Sequence, residues 1–190
     1  QYKEMGVEEV VWVEANPESY GELLDNLQIM DIKEVKSHPY NQLISDKDDV
    51  EMDFNLYYGP DAGYLVGNKG MSSLLKAKNS WYGSEYYKGT LKLNSLTVDT
   101  FLERNKLGHS FDMMNVDTQG AEMMVFRGAT EVLKNVQVIN CEVTFFNTPY
   151  HNNPKFDEVY EYLSQFGFKH VHTDYCLERN GGDGVFEKSL

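Results

Sequence analysis

Cysteine is scarce in this sequence: 190 residues contain two, Cys141 and Cys176. Two thiols cannot build the disulfide framework of a small secreted domain. Cys141 sits inside an apolar run and reads as a buried thiol, which favours a reducing, cytoplasmic setting. Long apolar runs are also missing. The longest, such as Val10 to Val13, fall far short of the roughly 20 residues a membrane-spanning helix needs. Positive charge is in deficit, with 17 basic residues against 30 acidic ones and a net charge of −13. So acidic a surface repels phosphate backbones and anionic bilayers, so neither nucleic acid nor membrane is expected as a partner. Otherwise the charge is an ordinary means of staying in solution. There is no internal repeat, low-complexity linker or signal-peptide pattern.

What is present is a globular composition, 41% hydrophobic and 25% charged, in a length that suits one domain. Strand-like and helix-like segments alternate, which predicts an α/β domain with a mainly parallel sheet, helices on both faces and an antiparallel closing strand. Val10-Val11-Trp12-Val13 reads as a buried strand. Asn16 then caps a helix over about 17–30, with Pro17 in its first position and Tyr20, Leu23, Leu24 and Leu27 on one face. Val35 to Ile44 reads as a strand region broken at Pro39. Met52, Phe54, Leu56 and Tyr58 alternate as in a half-buried strand. Residues 59–90 read as a long irregular segment rich in Tyr and Gly. Phe111 to Val116 and Val136 to Val143 are buried strands. Between them, Ala121, Met124, Val125, Ala129, Val132 and Leu133 form a helical stripe. Phe156, Val159, Tyr160 and Leu163 mark another helix, and Phe168 to Tyr175 and Gly184 to Glu187 two closing strands.

Three constellations carry candidate chemistry. Glu14 ends its strand at the carboxyl edge, where open α/β sheets bind ligands, and a carboxylate there can accept both hydroxyls of a ribose. The plainer alternative is a surface carboxylate favoured by the following helix dipole. The second is Asn115-Val116-Asp117-Thr118-Gln119-Gly120-Ala121-Glu122. Asp117 would project into the crevice above the sheet, Gly120 would allow close backbone approach, and Glu122 would sit structurally in the first helical turn. The plainer alternative makes Asp117 a helix cap. The third is the stretch from Glu142 to His151, with Asn147 and Tyr150. His151 is a candidate general base, although a loop histidine is often merely exposed. Asp117, Glu142 and His151 could also hold a divalent metal, but their spacing is not diagnostic.

Together these segments resemble the FkbM family of methyltransferases. Val11-Trp12-Val13-Glu14-Ala15-Asn16-Pro17 resembles its second-strand segment, and Leu96-Thr97-Val98-Asp99-Thr100-Phe101-Leu102 the start of a mid-chain helix. Phe111 through Gly128, centred on Asp117 to Glu122, resembles its most specific motif. Val138 to Val143 and Gly167-Phe168 follow in family order. The resemblance implies a Rossmann-like class I methyltransferase domain spanning 1–190, using S-adenosylmethionine. It further implies that Glu14, with Ala15 and Asn16, holds the cofactor ribose, that Ile44-Ser45-Asp46 lies near the adenine, and that Asp117, with Thr118, faces the methionine end or the acceptor. Ser72-Ser73 resemble a serine pair of the family. The family opens with a strand and a glycine-rich turn; here Gln1 to Gly6 already reads as first helix, so that strand and turn are expected upstream of residue 1 or missing, leaving the domain incomplete at its N-terminus.

The expected reaction is O-methylation of a small molecule or sugar unit. Asp117 or His151 would serve as base, and Tyr64, Trp81, Tyr82, Tyr86 and Tyr87 would offer aromatic faces to the acceptor. Two rivals remain. A nicotinamide-dependent oxidoreductase would use Glu14 but gives the Asp117 motif no role. A non-catalytic module of the same fold would need no cofactor at all.

Overall fold

A computed structural model describes residues 6–29, 35–59, 69–79, 84–146, 148–177 and 180–189. The chain divides into two units, Gln1–Leu43 and Ile44–Leu190.

In the first unit, β1 (Glu9–Glu14) pairs in parallel with β2 (Lys36–Asn41), and α1 (Pro17–Ile29) connects them. The strand and the capped helix fall where the sequence puts them, but the strand is not buried as expected: Val10, Val11 and Trp12 are half-buried and Val13 is exposed. Pro39, however, does not break its strand: β2 runs through it, with Pro39 opposite Trp12. The reason lies in which way the backbone faces. Lys36 and Gln42 donate their N–H groups to Glu8 and Glu14 of the β1 side. Even-numbered residues of β2 therefore face β1, and Pro39 faces the other way. Its missing N–H costs the ladder nothing. The Tyr20 hydroxyl reaches the Pro39 carbonyl at 3.4 Å.

The second unit opens within β3 (Leu43–Ile44). It continues through β4 (Val50–Tyr57), β5 (Tyr87–Leu96), α2 (Val98–Asn105), β6 (Met113–Val116), α3 (Glu122–Arg127), α4 (Thr130–Asn135), β7 (Val138–Thr144), α5 (Phe156–Ser164), β8 (Phe168–Cys176) and β9 (Gly181–Lys188). One sheet has the order β3-β5-β4 and another β6-β7-β9-β8.

The expectation of a mainly parallel sheet is not met. β6–β7 is parallel, but β4–β5, β7–β9 and β8–β9 are antiparallel. For β8 and β9 the physical cause is connection length: the four residues 177–180 between them are too few for the crossover that parallel pairing needs. The ten-residue β5 begins inside the segment 59–90 that the sequence marks as irregular and continues beyond it, through residues to which the sequence pattern assigns no strand. Its pairing with β4 sets Phe54 opposite Leu91 and Met52 opposite Leu93.

The helical stripe from Ala121 to Leu133 is two short helices rather than one. Gly128 ends α3, and a Cβ there would stand 2.3 Å from the Ser45 carbonyl oxygen. The chain therefore needs glycine at this close approach, and α4 must start afresh. Its N-terminal residues lack a local cap, since Ala129 has no side-chain acceptor. Asp99 supplies one from α2. Its carboxylate accepts from Glu131 N at 2.9 Å, Val132 N at 3.2 Å and the Thr130 hydroxyl at 3.1 Å. Thr97 caps α2 itself through Thr100 N at 3.1 Å. The Leu96-to-Leu102 motif thus carries two caps three elements apart. The core of this unit gathers Phe101, Leu102, Phe126, Leu133, Ile139, Leu163 and Phe186, all at most 3% exposed.

Replacing Asp99 by Ala leaves the first turn of α4 without its acceptor. The expected loss is about 1–2 kcal/mol, read as a drop in thermal midpoint of about 2–8 °C for a chain of this size.

Candidate functional site

In the first unit, Glu14 closes β1 at its carboxyl end. Asn16 donates its N–H to Glu14 Oε1 at 2.7 Å, and its own Oδ1 accepts from Glu18 N at 3.0 Å. Asn16 is therefore the cap that the sequence predicts for α1. Asn41 donates Nδ2 to the Glu14 and Ala15 carbonyls at 2.7 and 3.2 Å, fixing the corner from β2. Asn16 is 2% exposed, yet its Nδ2 finds no hydrogen-bond partner among the described residues. The corner thus holds a carboxylate beside a buried donor without an acceptor.

In the second unit, Ile44 belongs to β3 and Ser45 is fully buried. Ser45 N donates to Leu96 O at 2.9 Å, and its hydroxyl lies 3.3 Å from Lys47 O. Ser45 thus faces inward as a structural tie. Asp46 differs: its Oδ1 is buried with no hydrogen-bond partner among the described residues.

The centre of the second unit is the turn after β6. The parallel register sets Val116 beside Cys141, so the next step brings Asp117 beside Glu142 at the carboxyl edge. Asp117 is exposed and caps no helix. Gln119 bridges the two acids, with Nε2 2.6 Å from Asp117 Oδ1 and 3.1 Å from Glu142 Oε2. Gln119 has φ +54° and Gly120 φ +91°, a left-handed pair that few residues other than glycine adopt cheaply. Three donors hold it so. Thr118 N, the Thr118 hydroxyl and Gly120 N lie 3.0, 3.2 and 3.1 Å from Glu122 Oε1. Ser73 adds a fourth tie, its hydroxyl donating to Gln119 O at 2.7 Å. Ser73 thus ties its own stretch of chain to the turn, while Ser72 Oγ accepts from Tyr57 N at 3.2 Å.

Glu122 is 2% exposed. Burial is the largest influence on its carboxyl, and the negative charge of Asp117 acts in the same direction. The bonds from Thr118 and Gly120 act against them, and the net value rises from 4.5 to about 7. Glu122 is thus a structural residue, as expected, but it braces the preceding turn instead of merely complementing a helix dipole. Burial also raises the Cys141 thiol well above its ordinary range, in line with a buried thiol.

His151 stands apart. It is exposed, its backbone N–H donates to Lys76 O at 2.9 Å, and no contact joins its ring to Asp117 or Glu142. Among the described residues no group of three His, Cys, Asp or Glu side chains could hold a metal ion. Tyr150 is buried, its hydroxyl 2.6 Å from Met71 O and 3.2 Å from Gln119 Oε1. Tyr64, Trp81, Tyr82 and Asn147 lie outside the described residues. Tyr86 closes a single turn before β5, and Tyr87 begins that strand with its ring 5.5 Å from Tyr57. An open groove of about 410 Å³ lies elsewhere in the second unit, along Met52, Asp53, Leu74, Lys92 and Met124, and contains none of the expected site residues. No helix among the described residues is long and apolar enough to cross a membrane.

The residue that sequence reasoning missed is Gln119. It stood in the motif, but an amide between two future carboxylates has no signature until the β6–β7 register is known.

Because folding raises the Glu122 carboxyl, the folded chain holds a proton that the unfolded chain releases between about pH 4.5 and 7. Stability therefore falls as pH rises through that window. Glu122→Gln mimics the protonated acid and keeps the Oε1 acceptor. Relative to wild type it should gain on the order of 3 kcal/mol between pH 4.5 and 8, measured by denaturant unfolding at each pH. A constant difference between the two chains would contradict the buried-acid account.

Compared with known proteins, the chain matches the family described as the methyltransferase FkbM domain over residues 2–170. No curated protein and no solved structure matches it significantly. The match takes in β1, the Asp117-to-Glu122 turn and β7, the segments that build both corners, and the chain belongs to the methyltransferase FkbM domain family.

Proposed function

We propose that the chain transfers a methyl group from S-adenosylmethionine to a hydroxyl of a small molecule or sugar unit. Beyond family membership, one observation carries the reading. Each of the two strand-end corners that the family resemblance assigns to the cofactor holds a buried polar atom with no partner among the described residues: Asn16 Nδ2, a donor, and Asp46 Oδ1, an acceptor. Leaving such an atom unpaired costs about 1–3 kcal/mol, so each suits a ligand that supplies the missing bond. A ribose hydroxyl can donate to Glu14 and accept from Asn16. An aromatic amine such as that of adenine can donate to Asp46. Each corner, taken by itself, fits one part of an adenosine-containing donor.

When bound, S-adenosylmethionine supplies a methyl group already attached to a good leaving group. The chain's task is then alignment, which can account for much of the rate. Asp117, exposed at the end of β6 and steadied by Gln119, is the group suited to take the hydroxyl proton of the acceptor. His151, on the loop anchored to Lys76, is the second candidate. Tyr57 links Tyr87 to Tyr150, with ring separations of 5.5 and 6.5 Å. Tyr57 and Tyr150 are buried and brace the approach to the Asp117 turn, so of the three only the exposed Tyr87 could offer its face to a sugar ring.

Isothermal titration with S-adenosylhomocysteine, with NAD as control, tests the donor. Micromolar binding of the former alone is expected, weakened tenfold or more by Glu14→Ala. Absence of binding by the folded protein would sink the proposal. With an acceptor in hand, Asp117→Asn should lower kcat by about 10²–10⁴-fold while leaving S-adenosylhomocysteine affinity within a few-fold.

A further inference from the structure

The Asp117–Glu142 pair poses an electrostatic problem that the proposed reaction does not by itself resolve. Two carboxylates at one sheet edge repel unless a donor stands between them. The groups around them are Gln119 from the turn, Glu122 from the start of α3, Asp183 of β9, opposite Glu142 in the register, and the Tyr150 hydroxyl, which approaches Gln119 from beyond β7. What lies between the acids is an amide, and its two N–H donors match the two acceptors. The amide orientation follows from charge: turned over, Oε1 would face both carboxylates. The backbone beneath it is held on both flanks by Glu122 and at its own carbonyl by Ser73.

We infer that Gln119 is a positioning residue, whose amide holds the Asp117 and Glu142 carboxylates side by side at the carboxyl edge of β6 and β7 and keeps Asp117 aimed at the acceptor. Its catalytic meaning rests on the methyl-transfer reading; its bridging role does not. The strained φ of Gln119 is then the means by which a side chain from the turn reaches back over the strand ends. Asparagine, one methylene shorter, cannot span both oxygens. Glutamate fills the same space but replaces two donors with a third acid.

The test compares Gln119→Glu and Gln119→Met with wild type by two readouts. The first is thermal unfolding from pH 5 to 8, with no ligand. In Gln119→Glu the new carboxyl faces two others, so its folded form resists ionisation and the variant loses stability as pH rises. Relative to wild type its midpoint should fall by about 3 °C or more over that range. A chain folded at pH 5 and unfolded at pH 8 is the extreme of the same result. Gln119→Met should show an offset that depends on pH far less. A flat offset for Gln119→Glu would show that no carboxylates face residue 119 and would overturn the inference. The second readout is turnover. Gln119→Met should lower kcat about tenfold with S-adenosylhomocysteine affinity within about twofold of wild type; unchanged kcat would also overturn it. A wild-type chain that binds no S-adenosylhomocysteine would end the methyl-transfer reading, and the pH series would still decide the bridge.

Discussion

The buried carboxyl of Glu122 is the constraint on which the second unit's strand-end turn depends. A single oxygen gathers donors from Thr118 and Gly120 and so holds two successive residues left-handed. That conformation would otherwise relax, because a residue such as Gln119 gains nothing locally from positive φ. Once fixed, it sends the Gln119 side chain toward the carboxylates and its carbonyl toward Ser73. The acid that does this is itself near neutrality. The site's geometry is therefore tied to proton concentration through a residue that meets no solvent.

The two units follow one design at different scales. Each ends a parallel pair with an acid at the carboxyl edge, Glu14 in one and Asp117 in the other. Parallel pairing gathers strand ends of the same polarity, which suits a site built from several turns. The antiparallel strands serve other ends. β4, paired with β5, carries Asn55 and Tyr57, which grip the Ser72-Ser73 segment. β9 and β8 extend the sheet beyond β7. A mixed sheet is thus a division of labour, with parallel strands presenting the site and hairpins supporting it.

Much of this was legible in the sequence wherever one residue type has one physical meaning. Val10 to Val13, the Asn16-Pro17 cap and the apolar face of α5 fell in place because short-range patterning decides them. Glu14 and Asp117 were legible as strand-end acids. What escaped needed long-range information. β5 was hidden behind a glycine-rich segment, though Leu91 and Leu93 alternate with Lys92 and Asn94. The division of α3 from α4 depends on the Ser45 carbonyl, 83 residues earlier in the chain, pressing on Gly128. The role of Gln119 depends on the register of two strands. Pro39 misled because proline breaks a strand only when its N–H would have faced a partner.

That last feature has a bearing on association. Along the outer edge of β2, residue 39 offers no donor, and its carbonyl is already approached by the Tyr20 hydroxyl. A foreign strand laid along that edge would meet a gap in its ladder at the midpoint, where templated growth most needs continuity. Proline here acts as a terminator. It blunts a short parallel ribbon against edge-to-edge aggregation while leaving its inner face free to pair with β1.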